Sequence, residues 1–176
     1  MKHKTLKALS NCTAKSTPIT GLSKVVLANG ALYASDSYVA VRYSENWDLP
    51  TDMELVAVPV YDIGIHKASE NVEVRSDGFV WEDGIVKPGE FVAKYPSKTM
   101  NNLFNDLEKE VADGDKSVDT HVDIKLLDKV LAVFKAAEID VIVNSCKSCV
   151  YLTGAKYDNG GHCTAALSAL VMRKRS

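Results

Sequence analysis

The feature that most constrains this chain is a weak internal repeat of about sixty residues, in which a helical segment is followed by short strands. Tight-turn dipeptides separate the strands; among them are Asn29-Gly30, Asp77-Gly78 and Asn159-Gly160. Such dipeptides tolerate positive φ and join neighbouring antiparallel strands. The pattern therefore predicts an α+β fold, built from repeats of one helix plus antiparallel strands, with the helices on one side of the sheets.

The first unit opens with a predicted amphipathic helix over residues 5–15. Leu6, Leu9 and Thr13 fall on one side of it, and Asn11 shares another side with basic residues, so the helix carries a basic stripe. In the second unit, Pro59 favours the start of a short helix over residues 60–68. The strands predicted in these two units span residues 24–28, 31–34, 38–43, 54–58, 72–75, 79–81 and 85–93, the last broken at Pro88-Gly89.

The third unit follows a polar, acidic stretch that is interpreted as a linker. Asp123 is a plausible cap for a helix over residues 124–137, in which leucines, Val130 and Phe134 share one face. Strands are predicted over 139–144, 150–154 and 164–172. The predicted organisation is residues 1–104 as two helix-plus-sheet halves, 105–120 as the acidic linker and 121–176 as a further half.

Composition narrows the class of protein. The net charge of −2 argues against a protein that coats nucleic acid through overall basicity, although a local basic patch remains open. Apolar stretches such as residues 165–172 are too short to span a bilayer, and the N-terminus does not resemble a signal peptide. Four cysteines without such a signal indicate free thiols and a cytoplasmic location.

Few residues form a pattern that would support chemistry. Cys146 and Cys149 form a CxxC, and His162-Cys163 follows at a spacing that superficially suits zinc. The predicted strands separate the two pairs by roughly 20 Å at about 3.3 Å per residue, and the CxxC does not open a helix that would stabilise a thiolate. The four histidines lack a catalytic partner pattern. We therefore expect no enzyme activity, no cofactor and no bound metal.

Four short motifs, taken in order, resemble the bacterial DNA polymerase III beta subunit, the DNA sliding clamp. The segment Ala34–Ala40 resembles the family's "A-T-D-G-H-R-L-A" turn, one residue shorter and with Ser37 for the usual glycine. Val56–Pro59 resembles the entry "I-V-P-R-K", and Tyr95-Pro96-Ser97 resembles "F-P-D". Leu170–Arg173 stands where the family has "V-M-P-M-R" without its proline. The resemblance covers residues 5–104 and 122–175, and the chain has three half-units where a family protomer has six.

This resemblance implies a non-enzymatic processivity factor that encircles double-stranded DNA without reading its sequence. Partner polymerases or other replication proteins would dock through short peptide motifs in a small apolar cleft. The resemblance implies DNA-facing lysines at Lys4, Lys7, Lys15, Lys67, Lys125 and Lys129. It implies a peptide pocket drawn from Ser35, Tyr38, Val39, Pro96, Lys147, Cys149, Leu170 and Met172.

A single chain of this size cannot surround a duplex, so we expect a homo-oligomer. If twelve half-units make a ring, three per chain would imply four chains, and the reduced size indicates a phage or another mobile element. Two alternatives remain open. One is a clamp-like protein that binds replication peptides without encircling DNA, and the other is a CxxC metal or thiol module.

Overall fold

A computed structural model describes residues 1–15, 20–49, 56–59, 70–91, 97–113 and 121–173. The helix predicted over residues 60–68 lies outside the described residues, as do Lys67 and Pro96. Among the helices of the described residues, none has both the length and the apolar character needed to cross a membrane.

Most strands belong to one antiparallel sheet of eight, in the order β8-β4-β1-β2-β3-β11-β10-β9. A second sheet of three strands has the order β5-β6-β7. The helices are α1 (His3–Asn11), α2 (Ser97–Ala112) and α3 (Ile124–Ala137), with a short 3₁₀ turn at Thr20–Ser23. The strands are β1 (Lys24–Ala28), β2 (Ala31–Ser35), β3 (Val39–Glu45), β4 (Val56–Pro59), β5 (Val72–Arg75), β6 (Gly78–Trp81), β7 (Val86–Pro88), β8 (Glu90–Phe91), β9 (Ile142–Ser145), β10 (Cys149–Tyr157) and β11 (Cys163–Met172).

Two helices lie side by side on one face of the large sheet and run antiparallel. The Thr5 hydroxyl near the start of α1 donates to the Ala136 carbonyl near the end of α3, at 3.1 Å. The Cys12 thiol just after α1 lies 3.8 Å from the Lys129 carbonyl in the middle of α3. Apolar residues of both helices pack with the sheet residues that point to this face, as strand alternation requires. Together they form the larger of the two apolar clusters among the described residues.

Helix α2 lies on the opposite face, so the prediction that the helices occupy one side of the sheets is wrong for this helix. Phe104 and Leu107 are buried in a second, separate cluster with Tyr33, Tyr151 and Leu170 of the sheet. These sheet residues alternate with those that face α1 and α3, which is why both faces need a cover. The linker prediction is also wrong for residues 105–112, which form the second half of α2.

The small sheet packs on the same apolar cluster as α1. Val72, Val74, Phe79 and Trp81 are buried there, and the Trp81 indole N–H donates to His3 Nδ1 at 3.0 Å. The predicted break at Pro88-Gly89 is confirmed, because β7 ends at Pro88 and β8 starts at Glu90 in the other sheet. These residues therefore connect the end of the small sheet to the edge of the large one.

Local backbone chemistry explains most of the element bounds. At the predicted Asn29-Gly30 turn both residues adopt positive φ, 50° and 70°. Helix α3 spans the predicted residues, with the Asp123 carboxylate accepting the Lys125 amide. Helix α1 ends earlier than predicted, at Asn11, because the Cys12 amide already bonds three residues back to Leu9 and closes the last turn. Lys15 therefore follows the helix.

Candidate nucleic-acid interface and peptide-binding surface

The outer side of the α1–α3 pair carries exposed lysines. Lys4 and Lys7 lie on the exposed side of α1, and Lys125 lies on the exposed side of α3. Lys135 is also exposed on α3 and was not among the predicted DNA-facing residues. Lys135 lies seven residues, or two helical turns, after the exposed Asp128. The helical repeat therefore places Lys135 on the exposed side of α3, and this spacing could have identified it in the sequence. We define these four lysines as the helix-pair lysines.

One end of the helix pair is partly neutralised by Glu138, which caps α3 in the left-handed conformation. Its carboxylate accepts from Lys2 and from Lys4, the latter at 2.8 Å, and Lys156 lies 3.6 Å away. Hydrogen bonds from Lys2 and Lys4 lower the pKa of Glu138 to about 2. The carboxylate thus remains charged at all ordinary pH values and offsets part of the local positive charge.

Lys129 connects α3 to the turn between β2 and β3. Its ammonium lies 2.7 Å from one Asp36 carboxylate oxygen, and the other oxygen accepts the amides of Tyr38 and Val39, each at 3.0 Å. The Lys129 side chain is 38% exposed, against 11% for Asp36. Of the other predicted DNA-facing lysines, Lys15 is exposed. Lys129 therefore differs from the helix-pair lysines in having a mostly buried carboxylate partner.

The described residues of the predicted peptide pocket meet at one end of the large sheet. Val39 starts β3 and pairs with Val171 of β11, while Met172 pairs with Cys149 at the start of β10. The Met172 amide donates to the Tyr38 carbonyl at 2.9 Å. The resemblance thus grouped residues that are close together in the fold.

These residues do not form one open pocket, because they divide between the two faces and differ in exposure. Val39 is buried in the cluster beneath α1 and α3, whereas Cys149 and Leu170 are buried in the cluster beneath α2. Tyr38 and Met172 are exposed, at 63% and 39%. The other two described pocket residues also differ in exposure. The Ser35 side chain is buried and its hydroxyl donates to the Val39 carbonyl at 2.8 Å, whereas Lys147 is exposed.

Helix α2 covers the part of this region that faces away from α1 and α3. Phe104 and Leu107 share a cluster with Cys149 and Leu170, and a Glu110 carboxylate oxygen accepts the Lys147 amide at 2.6 Å. Helix α2 was not predicted from the sequence, although Met100, Phe104, Leu107 and Val111 are spaced three and four residues apart on one helix face. That apolar stripe was the signal available in the sequence.

The cysteines of the CxxC lie at the opposite end of β10 from Cys163. Cys146 and Cys149 are buried at the β9–β10 turn, and burial raises the pKa of Cys149 to about 12 and also raises that of Cys146. The exposed Cys163 pairs with Tyr157 at the other end of β10, as the sequence predicted. Among the described residues, no group of three or more His, Cys, Asp and Glu side chains could hold a metal ion.

A cleft of about 650 Å³ lies elsewhere, beside the end of β3 and the β5–β6 hairpin. Its lining includes Met1, Trp47, Asp48 and Glu73, with none of the predicted site residues. The described residues of the predicted sites therefore lie away from this cleft. No family model matches this chain, and no curated protein matches it significantly.

Proposed function

We propose that this protein is the subunit of a DNA sliding clamp, a polymerase processivity factor that encircles duplex DNA and has no enzymatic activity. One observation carries the proposal: an antiparallel pair of helices with exposed lysines covers one face of a continuous antiparallel sheet. Such a helix pair can present positive charge to the phosphates on both sides of a groove while making no base contact. A protein that slides needs this kind of contact, because base recognition would hold it in one place.

The charges of the two faces support the proposal. Helices α1 and α3 together contain five lysines and one aspartate. Helix α2 contains two lysines against one aspartate and two glutamates, and Asp113 follows it. A ring with a basic inner face and an acidic outer face attracts DNA to its hole and disfavours binding elsewhere. The net charge of −2 is compatible with this arrangement because the charges are segregated.

The topology also supports a clamp-like repeat. Helix α1 precedes β1, β2 and β3, and helix α3 precedes β9, β10 and β11. In the sheet these strands follow the order β1-β2-β3-β11-β10-β9, so the two units meet through their third strands with a symmetric order. Ser37, which stands where the resembling family has glycine, adopts a φ of 76°, in the region that glycine favours.

A ring requires association between chains, and one edge of the large sheet suits it. Strand β9 lies at that edge, and its Ile142 and Val143 side chains are 62% and 63% exposed. An exposed apolar edge strand has unpaired backbone groups that can pair with another chain. We propose that the functional protein is a homo-oligomer.

The test is retention on DNA of different topology. The protein is loaded on a nicked circular plasmid, passed through a gel-filtration column, and compared with the same plasmid cut once to make it linear. Retention on circles with loss from linear DNA is the expected result, together with a molar mass in solution of several chains. Equal behaviour on both DNA forms would refute encirclement.

A second candidate is a clamp-like protein that binds replication peptides without encircling DNA. The ion pairs favour it, since Glu138 and Asp36 neutralise part of the charge on the helix-pair side. A monomer in solution, not retained on circular DNA, would be the result expected from this candidate.

A further inference from the structure

We propose that α2 is a displaceable occupant of a helix-binding surface, and that the amphipathic helix of a partner protein binds in its place. This surface, the α2 cleft, is formed by Tyr33, Arg42, Tyr151 and Leu170 together with the Lys147 amide. The inference rests on the proposed function for the nature of the partner, a replication protein. It deepens that function by stating what the docking surface recognises and how access to it is controlled.

The cleft recognises an aromatic ring at its centre. Phe104 of α2 is fully buried, with its ring 6.4 Å from the rings of both Tyr33 and Tyr151. The Arg42 guanidinium lies over the same ring, 5.0 Å from its centre. Leu107, one helical turn after Phe104, packs in the same cluster and is only 4% exposed. An aromatic residue and a leucine three positions apart are the anchors of a helix that binds in a groove.

Polar groups fix the direction of the helix. Arg42 forms an ion pair with Glu108, whose carboxylate also accepts the Tyr151 hydroxyl at 3.3 Å. Glu110 accepts the Lys147 amide at 2.6 Å, near the C-terminal end of α2. A partner would therefore need acidic residues four and six positions after its aromatic anchor.

The burial pattern indicates that α2 can leave without unfolding the rest of the protein. Among the described side chains of α2, Phe104 and Leu107 are the two that are buried. In α1, six of nine residues are buried. The clusters on the two faces of the sheet are separate, so removal of α2 leaves the packing of α1 and α3 against the sheet intact. Elements held by few buried side chains open more readily than the core.

The binding experiment uses the helix itself as the probe. A fluorescein-labelled peptide of residues 97–113 is titrated with the wild-type protein and with the double variant Phe104→Ser, Leu107→Ser, which weakens α2 and leaves the cleft unchanged. We expect the variant to bind the peptide at least about tenfold more tightly than the wild type, because the cleft is no longer occupied. Equal peptide affinity for the two proteins would overturn the proposal.

Two matched controls define the specificity. The double variant Leu103→Ser, Val111→Ser alters exposed α2 residues, 39% and 36% accessible, and should behave as the wild type. A peptide carrying Phe104→Ser and Leu107→Ser should not bind the variant protein. Binding of this altered peptide at comparable affinity would contradict recognition by the two anchors.

Hydrogen exchange of the wild-type protein tests displacement without any variant. We expect the α2 amides to exchange at least about tenfold faster than the most protected amides of α1 and α3. Exchange of α2 at the same slow rate as both other helices would show that it opens only when the whole protein unfolds, and would overturn the proposal. This second measurement also decides the matter if the double variant does not fold.

The peptide-binding and DNA-retention experiments together distinguish this proposal from that of a sliding clamp. Peptide binding without retention on circular DNA would preserve the α2 cleft and remove the clamp. Retention on circular DNA with no peptide binding to the variant would preserve the clamp and remove the α2 cleft.

Discussion

The two faces of the eight-stranded sheet are covered in different ways. On one face, α1 and α3 lie on a continuous apolar cluster that includes both sheets and residues of the first and last repeats. On the other face, α2 covers a smaller cluster with aromatic residues at its centre and charged residues around them. The first face has the larger apolar cluster and exposed lysines, whereas the contact between α2 and the second face is smaller and more polar. Strand alternation allows one sheet to have two faces of such different character.

The largest contrast is expected from truncating one buried phenylalanine on each face. Phe134→Ala removes a ring between α3 and the sheet and should lower the free energy of unfolding by about 5 kcal/mol, near the top of the range for such changes. Phe104→Ala should cost about 3 kcal/mol, because the exposed α2 can settle into the space left. Urea denaturation of both variants measures the difference. A larger cost for Phe104→Ala would reverse the contrast between the faces.

The next effect concerns DNA binding by the helix-pair lysines. Replacing Lys4, Lys7, Lys125 and Lys135 by Gln should weaken binding to duplex DNA roughly 30-fold, or about 2 kcal/mol, at moderate salt. The slope of log affinity against log salt should fall by about 0.9 for each phosphate that the variant no longer neutralises. Fluorescence anisotropy at several salt concentrations measures both quantities. Lys109→Gln with Lys147→Gln is the control on the α2 side, and an equal weakening per lysine in this control would contradict the assignment of the faces.

A smaller effect is expected at Arg42, which holds α2 through the Phe104 ring and Glu108. The Arg42 side chain is 20% exposed and that of Glu108 is 47% exposed, so the contact is only partly screened by water. Arg42→Ala should lower the free energy of unfolding by about 1 kcal/mol and increase hydrogen exchange in α2. The control is Arg75→Ala, which breaks the more exposed pair with Glu73 and should leave stability unchanged. Equal effects of the two variants would count against a role for Arg42 in docking α2.

The smallest effect is the pH dependence due to Glu138. Its pKa is about 2 in the folded protein against an ordinary value of 4.5, so its stabilising contribution is complete above pH 4.5 and is lost as the pH falls toward 2. Glu138→Gln should therefore lower Tm at pH 6 slightly and reduce the drop in Tm between pH 4.5 and pH 2. High salt should remove the difference, because the carboxylate and its lysine partners are exposed. Parallel Tm curves for the two proteins across this range would exclude the contribution.

Local chemistry made much of the fold predictable. Asp123 and the apolar spacing that follows it predict α3 with the bounds that the structure has, and Asn29-Gly30 predicts the β1–β2 hairpin. Helix α2 was missed because its many polar residues resemble a linker, although Phe104 and Leu107 follow helical spacing. A helix on the outer surface of a sheet exposes most of its side chains and is therefore rich in polar residues. The polar composition of this segment suggested a linker, whereas the spacing of its apolar residues indicated a helix.

The candidate site was less predictable, because it depends on pairing between distant strands. The register that places Leu170 opposite Ala40 and Val171 opposite Val39 brings the pocket residues together, and local sequence does not specify it. Once this register is known, alternation along the strands places Val39 and Leu170 on opposite sides of the sheet. The cover supplied by α2 could not be predicted without the helix itself.

Lysine footprinting tests the central claim, that the α1–α3 face is the DNA-facing surface, most directly. The protein is acetylated briefly with and without nicked circular DNA, and the modification of each lysine is measured by mass spectrometry. We predict that DNA protects Lys4, Lys7, Lys125 and Lys135, while Lys109 and Lys147 on the α2 side react equally in both samples. Protection of Lys109 and Lys147 in place of the helix-pair lysines, or protection of none of the six, would contradict this claim.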